Sequence, residues 1–162
     1  MAKHKAPDPS AGRLLVIHNR QRAKSVNVSR FRRQVRRVLE EELWLMNYEV
    51  CLHLVGSPEM TRINETFLQH AGDTDVITFT HPGMPGSAVL YGEIFICVPV
   101  AVRQAVTYRT RWQDEVTRYA VHGILHLLGY EDAQPVSRRK MKREENRLMR
   151  QLEKPSSGTT KT

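Results

Sequence analysis

The chain has 162 residues, enough for one domain with a core of its own. Apolar residues are 40% and charged residues 26%, a globular balance that argues against wholesale disorder, and no apolar run approaches the roughly 20 residues of a membrane-spanning helix. A formal net charge of +8 favours a polyanionic partner, above all nucleic acid, and the excess collects in SRFRRQVRR (29–37) and SRRKMKR (137–143).

The first dozen residues are polar, carry two prolines and lack the apolar core of a signal peptide, so the expected location is the cytoplasm. Residues 1–12 and 154–162 read as disordered tails around a single folded domain, 13–153. RLLVIHN (13–19) reads as a strand. Ser29 is placed to cap a helix over 29–46, whose apolar face carries Phe31, Val35, Val38, Leu39, Leu43 and Trp44 at three- and four-residue steps. YEVCLHLV (48–55) alternates as a strand does, and Ser57-Pro58-Glu59 opens a helix through about residue 67. TDVITFT (74–80) is a β-branched strand stopped by HPGMPGSA (81–88). VLYGEIFICV (89–98) is another strand, after which Pro99 starts a helix carrying Val102 and Val106. WQDEVTRYAVHGILHLL (112–128) predicts a helix ended by Gly129, and a last helix over 135–152 sets Met141, Leu148 and Leu152 on one side. The order βαβαββααα predicts an α+β domain: one mixed sheet of about four strands with helices packed over it, the strand pairing left open. Cys51 and Cys97 sit in apolar strand runs and read as buried free thiols of a reducing compartment, not as a disulfide.

The chemistry concentrates in VHGILHLLGYED (121–132). On a helix, His122 and His126 share a face one turn apart, close enough for both imidazoles to reach one metal ion. The competing reading is a pair of ordinary half-buried helix histidines. Gly129 can turn the chain back, which brings Asp132, with Glu131 as its competitor, toward His126 as a third ligand. Three ligands leave one position open for water. A zinc peptidase needs a glutamate beside the first histidine as general base, and Gly123 stands there instead.

HGILHLLGYED, preceded by DEVTRYAV, resembles the H-G-x-L-H-L-x-G-Y-D-H signature of the YbeY family of bacterial rRNA-maturation endoribonucleases. INETF and TDVITF resemble its L-N-x-x-Y-R and T-D-V-L-S-F segments, YGEIFICVPVAVRQA its L-G-D-I-x-I-S strand and following helix, and Met141 with Glu144 or Glu145 its M-x-x-x-E region. The match is nearly collinear over residues 48–150. The resemblance implies an α+β fold with a zincin-like metal helix, and a metal-dependent endonuclease for single-stranded RNA, acting in ribosomal RNA maturation and quality control on the small ribosomal subunit. It implies one divalent ion, zinc first, held by His122, His126 and the residue at 132. The family's third histidine is here Asp132, its preceding aspartate Glu131, its arginine Leu68, and its proline before T-D-V Asp73. Asp132 makes the donor set harder, from which either a lower metal affinity or a preference moved toward manganese or another oxygen-loving ion is expected. His70 and Arg103 are candidates to stand in for the arginine, and His81 for RNA contact or general acid work. Thr74 and Asp75 are candidates to meet substrate, with Arg33 and Arg37 on the basic helix tracking the backbone. Trp112 reads as packing. The alternative to an enzyme is a ribosome-assembly factor that keeps fold and metal and acts by binding RNA.

Overall fold

The strand YEVCLHLV puts Tyr48, Val50, Leu52 and Leu54 on one face, each no more than 1% exposed, and Glu49, Cys51 and His53 on the other. It is β2 (Tyr48–Val55), and the rest of the fold is arranged on its two faces. The computed structural model describes residues 12–82 and 89–156. The expected tails, 1–11 and 157–162, and most of the HPGMPGSA stop, 83–88, lie outside the described residues.

The other elements are β1 (Arg13–Asn19), α1 (Val28–Arg37), a π-helical turn (Val38–Glu42), α2 (Ser57–Leu68), β3 (Val76–Thr80), β4 (Leu90–Cys97), α3 (Val98–Tyr108), α4 (Trp112–Leu127) and α5 (Pro135–Glu153). The sheet order is β1-β2-β4-β3, with β1, β2 and β4 parallel and β3 antiparallel on β4. This is the expected α+β architecture, one mixed four-stranded sheet with helices over it. The main core lies between one face of the sheet and α1, α4 and α5, where Leu52, Ile94 and Ile96 meet Val35, Leu39, Ile124 and Leu148. A smaller core, Val55, Met60, Ile77, Cys97 and Val100, fills the other face. Cys51 and Cys97 are both free.

Two expectations for the first helix are corrected. Its cap is Asn27, whose Oδ1 accepts from the Arg30 N–H at 3.0 Å, and not Ser29, which lies inside the helix. The α-helix also ends at Arg37, and Leu43 N–H returns to the Val38 carbonyl at 3.0 Å, a wider turn than 3.6 residues. That turn rotates the face, so Leu43 packs on the core while Trp44, at φ 55°, is 80% exposed.

Gly123 fixes how closely α4 approaches the sheet. A Cβ there would lie 2.6 Å from Ile94 Cγ2, a fully buried side chain of β4. A glutamate could not stand at this position, so the place of a peptidase general base is taken up by packing. Gly123→Ala is expected to destabilise by about 1–2 kcal/mol, overpacking outweighing the helix propensity gained. Thermal unfolding should show a Tm lower by roughly 2–8 °C.

Candidate metal centre

α4 carries His122 and His126 one turn apart at its C-terminal end. Gly129, at φ 96°, ends the helix, with Gly129 N–H on the His126 carbonyl and Tyr130 N–H on the Leu125 carbonyl, both at 3.0 Å. This reversal aims the Tyr130 carbonyl at His126 Nδ1, 3.0 Å away, and brings Asp132 back over the pair. Asp132 Oδ2 lies 3.5 Å from His122 Nε2 and 3.4 Å from His126 Nε2, and the two Nε2 atoms are 3.1 Å apart.

The proton positions follow from the partners. A carbonyl only accepts, so His126 Nδ1 carries a proton. His122 Nδ1 lies 2.9 Å from Glu145 Oε2. Glu145 is only 4% exposed, yet against that burial the hydrogen bonds from His122 and Arg118 and the charge of Lys142 hold its carboxyl down to about 2. The ionised carboxylate accepts, so His122 Nδ1 is a donor as well. Two Nε2 lone pairs and a carboxylate oxygen then converge with no donor among them. A cation, a proton or a metal ion, relieves this directly, and the 3.1–3.5 Å separations suit ligands each ~2.0–2.2 Å from a common centre. The donor set therefore fits a divalent metal. Burial presses the His122 pKa down, but the hydrogen bond and charge of Glu145, with the charges of Asp132 and Asp75, outweigh it and raise it above the ordinary value.

The cluster opens into a cavity of about 710 Å³ whose walls include Asp75, Arg118, Tyr119, Arg138 and Lys142. Arg118 Nη1 donates to Glu145 Oε1 and Asn146 Oδ1, each at 2.8 Å. Arg138 Nε donates to the Asp132 carbonyl at 3.0 Å, and Lys142 Nζ reaches Glu145 Oε1 at 3.2 Å. The Tyr119 hydroxyl is buried without a hydrogen-bond partner among the described residues.

The structure sorts the other candidates. Asp75 lines the cavity, and its Oδ1 accepts from Thr74 Oγ1 and Val76 N–H, so Thr74 serves the start of β3. Glu131 is exposed and outside the three-donor group. Arg103 Nη2 donates to both carboxylate oxygens of Asp73, at 2.9 and 3.0 Å, and Arg103 is not in the cavity wall. His70 is exposed beyond α2, and neither it nor Leu68 lines the cavity. His81 bonds Glu93 Oε2 at 2.8 Å, on the sheet face turned away from α4, which separates it from the histidine pair. Arg33 is exposed on α1, whereas Arg37 is tied to the Gln151 and Lys154 carbonyls at 2.8 and 2.6 Å and anchors the end of α5. Trp112 packs against the core, as expected. Glu145, not Glu144, is the acid of the last helix that meets the site, since Glu144 pairs with Arg147. Arg118, Tyr119, Arg138 and Lys142 also line the cavity and carry no local motif that marks them in the sequence.

The family model described as Endoribonuclease YbeY matches residues 16–153. A relative of that name from Chlorobium phaeovibrioides is 34% identical over 138 residues, covering 84% of this chain and 88% of its own length. One from Elusimicrobium minutum is 41% identical over 103 residues, covering 62% of this chain and 72% of its own. The solution structure of TM1509 from Thermotoga maritima superposes with a TM-score of 0.58 at 22% identity, covering 90% of this chain and 99% of that one, a likeness of fold.

Proposed function

The chain belongs to the YbeY family of endoribonucleases, hydrolases of RNA that act in ribosomal RNA maturation, and from that premise we propose that His122, His126 and Asp132 form its catalytic centre. The observation that carries this is the convergence of two imidazole lone pairs and one carboxylate oxygen, with both Nδ1 protons tied off. His122, His126 and Asp132 would hold one divalent ion, zinc first by its nitrogen ligands, with manganese admitted by the Asp132 oxygen. When bound, that ion supplies Lewis-acid polarisation of a phosphoryl oxygen and acidifies water.

The rest of the chemistry belongs to this chain's side chains. Glu145 and the Tyr130 carbonyl orient the two rings and keep their Nε2 atoms bare. Arg138 uses only Nε on the protein among the described residues, which leaves its Nη pair for a phosphate. A guanidinium from α5 thereby takes up the phosphate contact that Leu68, outside the cavity, cannot make. Single-stranded ribosomal RNA is the substrate, with exposed cations such as Arg33 and Lys142 adding salt-sensitive affinity. The working unit is residues 13–153, the setting is the cytoplasm, and the small ribosomal subunit is the partner. Among the described residues no helix is long and apolar enough to cross a membrane.

Purified protein should cut single-stranded rRNA, spare duplex, stop with a chelator and lose activity in His122→Ala. Metal-loaded protein that binds RNA without cutting it would favour the assembly-factor reading, which the relatives' endoribonuclease names do not favour. Proton and metal compete for His122, whose pKa is raised. Metal uptake should therefore weaken as pH falls, beginning at a higher pH than an ordinary histidine would give, as competition with a chromogenic chelator across pH will show.

A further inference from the structure

The sheet face turned away from α4 carries a second convergence of donors. Cys51 on β2 stands directly across from Glu93 on β4, and His53 follows two residues on, on the same face. His53 Nε2 lies 3.3 Å from Cys51 Sγ and 2.9 Å from Glu93 Oε1, and the three ligand atoms all fall within 4.8 Å of one another. The imidazole is held in plane between Phe95, stacked at 4.3 Å, and His18 at 5.3 Å, and is 8% exposed. Glu93 is oriented by His81, which bonds its other oxygen at 2.8 Å.

We propose that Cys51, His53 and Glu93 are a second metal site, for a thiolate-seeking divalent ion such as zinc, on the face of the sheet opposite the His122 centre. A sulfur, a nitrogen and an oxygen at these separations lie within reach of one ion bound at ~2.0–2.3 Å. The alternative use of a Cys–His pair, as nucleophile and base, does not fit: Cys51 and Glu93 meet the same nitrogen, and the other faces the Arg20 guanidinium, a donor where a relay needs an acceptor. Burial, reinforced by the Glu93 charge, also pushes the Cys51 thiol up, away from a free thiolate.

Protons and charges balance as follows. Arg20 Nη1, which can only donate, lies 2.8 Å from His53 Nδ1, so the imidazole proton sits on Nε2 and is given to Glu93. On binding, the Cys51 thiol releases its proton to solvent. The Nε2 proton is also lost and one is regained at Nδ1, so the net release is one proton per ion. Arg20 withdraws from Nδ1 and stays on Glu59, which it already holds at 3.2 and 2.6 Å. Thiolate and carboxylate then cancel the charge of the ion, and the Arg20–Glu59 pair remains neutral beside it.

The test is titration of the purified full chain with cobalt(II). Two ions per chain should bind, with a near-ultraviolet thiolate-to-cobalt charge-transfer absorption that the His122 centre, lacking sulfur, does not produce. That absorption should persist in His122→Ala and vanish in Cys51→Ser, while unfolding of metal-free Cys51→Ser stays close to wild type. Zinc should also protect Cys51 from alkylation, and protection should be lost in Glu93→Gln. One ion per chain with no such absorption, or an absorption that survives Cys51→Ser and so belongs to Cys97, overturns the proposal. Neither result depends on RNA cleavage.

Discussion

If the proposed centre is right, replacing His126 with alanine is expected to leave the chain folded, to abolish metal binding by the His122–His126–Asp132 cluster and to slow RNA cleavage by about 10³-fold, the several kcal/mol a Lewis acid contributes. The fold should survive because His126 is only partly buried and its ring bonds lie within the cluster. Asp132→Ala should act in the same direction more weakly, since Asp132 is 47% exposed and water can fill its coordination position. Asp132→His, which restores the family's donor, should retain metal and shift preference from manganese toward zinc. Metal content by elemental analysis, alongside single-turnover cleavage of a labelled single strand, reads both effects. Unchanged metal in Asp132→Ala would remove that carboxylate from the ligand set.

The second large effect belongs to Glu145. One carboxylate takes hydrogen bonds from His122, Arg118 and Lys142 in a place that is 4% exposed. Glu145→Ala strands their donors, and the expected loss is about 3 kcal/mol of stability, or roughly 6–12 °C in Tm. Metal affinity should fall by about 10–100-fold, because the His122 ring loses the group that fixes its tautomer. The pH dependence has a definite sign. A carboxyl held down to about 2 contributes stability above its ordinary value near 4.5 and loses it as pH falls between the two. His122 runs the other way: its raised pKa contributes below the ordinary 6.5 and is lost as pH rises through the raised value. Acid denaturation of wild type and Glu145→Ala should therefore converge as pH approaches about 2, which equilibrium unfolding across pH will show.

Helical periodicity and turn chemistry are local, and what depends on them was legible in the chain itself. His122 and His126 share a face because they are four residues apart on an amphipathic helix, and Gly129 announces the reversal that returns Asp132. The element order and the α+β class follow from the same periodicities. Where local signals compete, the sequence does not choose between them: Asn27 and Ser29 are both good caps, and the π-helical turn that exposes Trp44 has no sequence mark. The rest required tertiary structure, because it depends on which distant segments touch. Glu145 reaches His122 only because α5 packs on α4, and Leu68 lies away from the cavity only because α2 covers the other face of the sheet. Cys51 and His53 meet Glu93, some 40 residues on, only because β2 pairs with β4 in parallel and in this register. A slip of one residue would turn Glu93 to the opposite face and dissolve the group, and nothing local to either strand specifies that register.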